Sequence, residues 1–235
     1  MPDLVPHPKT SISAPIVQDP AVTRVVQRHD DPDGVKLLGR LARTSCSFVI
    51  LDGPSVTVRY ALDTSRFDAA QIRREFLVVA DGNRSETMSS LRADLGGTGI
   101  GWQVCDRVMG GRASVLAEAV EYAANEFLVM SFGVGSQLDR IPNLLAHMWI
   151  EGADVGVLST EPFNDDEVGF REVPDASHRL TEWLGLSGSL PEGGLVVMRR
   201  WVARWLFNEI SRSIDPADEL ADRARLLGLA IVHLT

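Results

Sequence analysis

His147 and Glu151 stand four residues apart in a segment with helical periodicity, a spacing that sets two metal-ligand types on one helical face. A metal would need further ligands at similar spacing, but His7, His29, His178 and His233 are scattered, so the pair reads as the edge of a helix. The acidic clusters Asn164-Asp165-Asp166-Glu167 and Asp30-Asp31-Pro32-Asp33-Gly34 lack the alternating oxygen positions and distal glutamate of a calcium loop, and they read as solvated turns. A serine nucleophile has no Gly-x-Ser-x-Gly elbow to sit on, because Gly185-Leu186-Ser187-Gly188-Ser189 lacks the final glycine. Cys46 and Cys105 are the only cysteines and form no Cys-x-x-Cys pair, which excludes a zinc cluster or a disulfide scaffold and points to a reducing, cytoplasm-like compartment. No catalytic set and no metal site emerge from these residues.

Gly96-Gly97-Thr98-Gly99-Ile100-Gly101 is the densest glycine string. It resembles the phosphate loop of Rossmann-type dinucleotide enzymes, in which missing side chains let backbone N–H groups approach a pyrophosphate at a helix start. The resemblance implies a nucleotide-binding role for Gly96, Gly97, Gly99 and Gly101, and it requires a buried strand directly before Gly96. Here Ser85 to Leu95 has helical periodicity, so the string reads as a turn between helices, and no resident cofactor is expected. The neighbouring stretch from Trp102 to Gly111 is similar to a short motif of complex I assembly-factor proteins of the jelly-roll type, whose many strands do not match the helical periodicity that follows.

The segment from Leu195 to Phe207 carries Met198, Trp201 and Trp205 at helical spacing, with Arg200 and Arg204 four apart beside them. Tryptophan and arginine are enriched at binding hot spots, so Trp201, Trp205, Arg200 and Arg204 are candidate interface residues. Arg73, Arg74 and Arg199 are candidate local phosphate contacts.

Around these residues the elements read as follows. Residues 1–20 hold five of the twelve prolines and predict an extended arm, leaving 21–235 as one domain. Phe48 to Leu51 and Val56 to Tyr60 flank Asp52-Gly53-Pro54-Ser55 and predict a β-hairpin. Helices are predicted from Asp68 through Ile72, Phe76 and Val79, from Ser85 to Leu95, from Ser114 to Phe127, and from Ser136 through Met148. More are predicted from Asp175 to Leu184, from Leu195 to Arg212, and from Asp215-Pro216 onward. Residues 152–174 predict a loop-rich insertion holding one short strand at Val155 to Leu158, and the apolar end from Leu226 to Leu234 predicts a buried C-terminal helix.

The expected fold is therefore mainly α with a small β-hairpin. The 235 residues carry a net charge of −9, so nucleic acid could be held only through local arginines. Lys9 and Lys36 are the only lysines among 23 basic residues, an arginine bias that suits planar, two-pronged contacts. No run of 18 apolar residues predicts a membrane span, and the proline-broken N-terminus predicts no signal peptide. With no convergent catalytic set, the leading expectation is a non-enzymatic, self-associating or adaptor subunit of a larger assembly, such as a coat, nucleocapsid or scaffold, with a homo-oligomer or protein partner. The alternatives are a small-molecule or nucleotide-binding enzyme using residues 96–101, and a nucleic-acid-binding subunit.

Overall fold

The computed structural model describes residues 37, 39–51, 72–80, 83–106, 111–131, 138–158, 176–186, 194–210 and 213–234. Seven apolar runs form one sheet: Ser45–Ile50 (β1), Arg73–Ala80 (β2), Gly101–Asp106 (β3), Phe127–Ser131 (β4), Val155–Leu158 (β5), Leu195–Arg199 (β6) and Ile231–Leu234 (β7). Among the described residues, six α-helices of eight residues or more accompany it: Arg84–Leu95 (α1), Gly111–Tyr122 (α2), Ile141–Glu151 (α3), Ala176–Trp183 (α4), Arg200–Phe207 (α5) and Pro216–Leu227 (α6). The strand order is β3-β2-β1-β4-β6-β5-β7. The first four run parallel, β6 is antiparallel to both of its neighbours, and β5 and β7 are parallel to each other.

Both faces of the sheet are covered. Alternate residues feed two separate cores, as the two-residue period of a strand requires. Phe48, Phe76, Phe127, Val129 and Val197 pack under α1 and α3, whose buried side chains include Leu91, Leu95, Leu144 and Met148. Val49, Leu77, Leu128, Met130, Val196 and Met198 pack on the other face under α2, α4, α5 and α6. The crossover helices follow the handedness of parallel strands. The chain steps outward from β2 to β3 through α1 on one face, then reverses across β1 to reach β4 through α2 on the other face.

This architecture corrects the expected mainly α fold. Strands covered on both faces read as continuous apolar runs without polar alternation, and a short run of that kind cannot be told from a buried helix by periodicity. Ile72, Phe76 and Val79 had helical spacing by coincidence: Arg73–Ala80 is a strand with five consecutive fully covered residues at its end. The long helix expected from Leu195 is instead a five-residue strand followed by the eight-residue α5. The expected hairpin is also corrected. β1 has parallel strands on both sides, and Val56 to Tyr60 lies outside the described residues. The apolar C-terminus holds the strand β7, not a helix, and Leu226 is exposed. Residues 1–20 and 159–174 of the expected insertion lie outside the described residues, whereas the short strand at Val155–Leu158 is present.

The helix starts that carry cap chemistry stand where the caps put them. Asp215 caps α6 through hydrogen bonds accepted from the N–H groups of Ala217 and Asp218, with Pro216 in the first turn. The Ser213 hydroxyl, from the segment before α6, and after it the Arg223 guanidinium of α6 hold the Glu219 carboxyl below its ordinary range. Asn83, rather than Ser85, caps α1 by accepting from the Glu86 N–H, and Gly96 ends it.

Candidate functional site

The four parallel strands β3, β2, β1 and β4 end at one edge of the sheet at Asp106, Ala80, Ile50 and Ser131. From β1 the chain winds to β2 and β3 on one side, and from β3 it returns to β4 on the other. The carboxyl ends of β1 and β4 are therefore the neighbouring strand ends at which the strand order reverses, and residues 52–71 and 132–137, which follow them, lie outside the described residues. In open α/β sheets, ligands bind outside the carboxyl ends of the strands at such a switch point. Helices α1 and α2 begin at the same edge, directing backbone N–H groups and the positive ends of their dipoles toward it. Gly111, at φ +82°, opens α2 in a backbone conformation that favours glycine.

The residues singled out in the sequence lie at the opposite edge. The 96–101 turn joins the end of α1 to the start of β3, so a helix and not a strand precedes Gly96. Gly97 and Gly99 adopt φ of +97° and +72°, and the Thr98 hydroxyl donates to the Leu95 carbonyl. Arg73 and Arg74 open β2 at that same amino edge, Arg73 exposed and Arg74 half-buried. Arg199 ends the antiparallel β6 and reaches the edge from the other direction. Its guanidinium lies 4.6 Å from the Trp149 ring centroid and 5.2 Å from that of Phe127. It approaches Glu126 at 3.5 Å and Asp154 at 3.8 Å. Arg40 covers Trp149 at 5.4 Å, and the Trp149 indole donates to the Thr44 hydroxyl. This cluster ties β1, β4, β6 and α3 together.

A second network locks the α2–β4 connection. The Ser47 hydroxyl donates to Glu75 Oε1 at 2.5 Å, and the same oxygen accepts the Ala124 N–H at 3.0 Å. The Asn125 side chain donates to the Cys46 carbonyl, and Arg200 donates to the carbonyls of Ala123 and Ala124 at 3.0 and 2.7 Å. Glu75→Ala removes an acceptor shared by the fully covered Ser47 hydroxyl and a backbone N–H, so it is expected to lower stability by about 1–3 kcal/mol. Chemical denaturation checks this, and an unchanged midpoint would show that the bonds to Glu75 are replaced by water without loss. The Cys46 thiol is fully buried, and burial first and the Glu126 carboxylate after it push it far above its ordinary pKa.

Of the expected interface set, Trp201, Arg204 and Trp205 are exposed on α5, while Arg200 turns inward to the end of α2 and Met198 is buried in β6. The carboxyl edge was missed because strand order is a property of the whole sheet and no local motif encodes it. Among the described residues, no three His, Cys, Asp or Glu side chains gather where they could hold a metal ion, and no helix is long and apolar enough to cross a membrane.

No protein-family model matches the chain, and no curated protein matches its sequence. Among solved structures it is similar to glucosyl-3-phosphoglycerate synthase from Mycobacterium tuberculosis in complex with Mn2+, uridine diphosphate and phosphoglyceric acid, with a TM-score of 0.47 and 14% identity over 83% of this chain and 71% of that one. It is also similar to a candidate nucleotide-diphospho-sugar transferase from Desulfovibrio desulfuricans G20, with a TM-score of 0.44 and 12% identity over 81% and 79% of the two chains. A mycobacterial protein gives a TM-score of 0.49 and 14% identity over 84% and 67%. The expectation of a non-enzymatic assembly subunit is corrected here. It rested in part on apolar helix faces left without cover, and the sheet covers them on both sides.

Proposed function

We propose that this chain is a nucleotide-binding enzyme that takes a nucleoside diphosphate, or its sugar conjugate, at the carboxyl edge between β1 and β4. The strand order carries this reading: β1 lies between two parallel strands whose connections diverge, the arrangement in which α/β sheets open a binding crevice. The starts of α1 and α2 at that edge supply N–H groups suited to a diphosphate. The ligands of the solved structures named above serve only to choose the first probes. In this reading the exposed tryptophans of α5, on a helix at the other end of β6, serve contact with protein rather than the reaction.

Uridine diphosphate, UDP-glucose and the corresponding guanosine compounds are the probes, with NAD as a contrast. At about 100 times its dissociation constant, a ligand that binds only the folded state adds about 2.7 kcal/mol. For a chain of this length that is a rise in Tm of about 5–10 °C. Hydrogen exchange should then show protection at the carboxyl ends of β1 and β4. A flat thermal response to every nucleoside diphosphate overturns the reading, and protection confined to residues 96–101 would move the site to the glycine turn.

A further inference from the structure

α5 is apolar on its inner face, where Val202, Ala203, Leu206 and Phe207 are buried, and a helix of this kind ordinarily presents charge to water on the other side. Its outer face instead carries Trp201, 55% exposed, and Trp205, 41% exposed, with the exposed Arg204 between them. The patch continues onto both neighbouring helices. Arg200 binds the carbonyls of Ala123 and Ala124, which brings the end of α2, with exposed Tyr122 and Glu121, to the start of α5. Arg223 of α6 donates to the carbonyls of Trp205 and Leu206, which brings α6 and its 81% exposed Leu226 to the far end. All five large hydrophobic side chains exposed among the described residues lie on this layer or in the segment leading into α6.

The charges say what covers the patch. Among the described residues Arg204 has no carboxylate partner and Glu121 has no cationic one. They flank the aromatic pair, with Glu121 beside the start of α5 and Arg204 in its last turn. A two-fold interface must be complementary to itself, and this patch is. When two α5 helices cross antiparallel through their tryptophans, the last turn of one meets the start of the other. Arg204 then reaches Glu121 of the partner subunit and stacks on Tyr122 of the partner subunit. An anionic membrane fits less well, because exposed Glu121, Asp218 and Asp222 share the layer with the tryptophans.

We infer that the Trp201–Trp205 face of α5 is the two-fold contact of a homodimer, in which Arg204 pairs with Glu121 of the partner subunit. The inference does not depend on the nucleotide site, since the patch lies on a helix layer and not at the carboxyl edge.

Sedimentation velocity on the full chain tests it. The wild type should sediment with a mass near twice 25.7 kDa, and the W201E/W205E double variant should be monomeric with an unchanged circular dichroism spectrum. Arg204→Glu and Glu121→Arg should each weaken association by about tenfold, the equivalent of about 1.4 kcal/mol, and the two together should restore it. A wild type that stays monomeric at every concentration overturns the inference, and so does a dimer indifferent to the tryptophan changes. A charge swap without recovery also overturns it, as does a monomer that floats with vesicles rich in phosphatidylserine.

Discussion

Phe127→Ala is expected to lower the unfolding free energy by about 3–5 kcal/mol, the range for deleting a fully buried phenyl ring where the surroundings close only in part. Phe127 is 0% exposed in β4, between the register partners Cys46 of β1 and Arg199 of β6. Its ring meets the Trp149 ring edge to face, with centroids 5.8 Å apart at 79°, and it carries the Arg199 guanidinium at 5.2 Å. The loss therefore has two parts. One is apolar transfer and cavity formation. The other is the removal of a wall of the slot that holds Arg199 near Glu126 and Asp154. With the urea dependence unchanged, the midpoint should fall by roughly 1 M or more. Phe127→Leu, which keeps most of the volume, should lose much less. A cost for the alanine variant below about 1 kcal/mol would mean that the centre of the sheet is not where these contacts place it.

Gly156→Val should be comparably damaging for the opposite reason. Gly156 lies in β5 on the face that meets α3, between Val197 of β6 and Val232 of β7. A Cβ there would come within 2.7 Å of Met148 Sδ and 2.9 Å of Leu144 Cγ and Cδ1. The thioether can swing aside, but the Leu144 branch point cannot move without lifting α3 off the sheet. Overpacking of this kind costs about 1–3 kcal/mol and occasionally more, and a branched side chain at a helix-to-strand contact lies at the upper end. The coupling is testable: adding Leu144→Ala should recover about 0.5–3 kcal/mol relative to the sum of the two single changes. Additive losses would show that the helix and strand are not in contact at this point.

The two substitutions also mark where the sequence is legible and where it is not. Helices at the protein's outer layers declare themselves, because one face must be polar. Leu91 and Leu95 are buried in α1 and Gly96 ends it, Asp215 and Pro216 start α6, and Leu138, Ile141, Leu145 and Met148 line the buried side of the segment that becomes α3. The strands β2, β4 and β6 declare nothing of the kind. Leu195-Val196-Val197-Met198 is apolar at every position because both faces are covered, and no period survives to separate strand from helix. The Trp201–Trp205 spacing was readable as one helical face, but its start at Arg200 was not. The glycine string drew the search for a binding site because its signal is local. The reversal of strand order between β1 and β4 depends on pairings between residues such as Phe48, Phe76 and Val129, far apart in the chain.

The antiparallel β6 has a consequence for synthesis. β5 joins the rest of the sheet only through β6, although it leaves the ribosome first. At about 5–20 residues per second, the growing chain spends a few seconds with the open edge of β4 and the unpaired Val155–Leu158 segment both available to strangers. Each edge is a template for pairing with another chain until Leu195–Arg199 arrives to fill the gap between them.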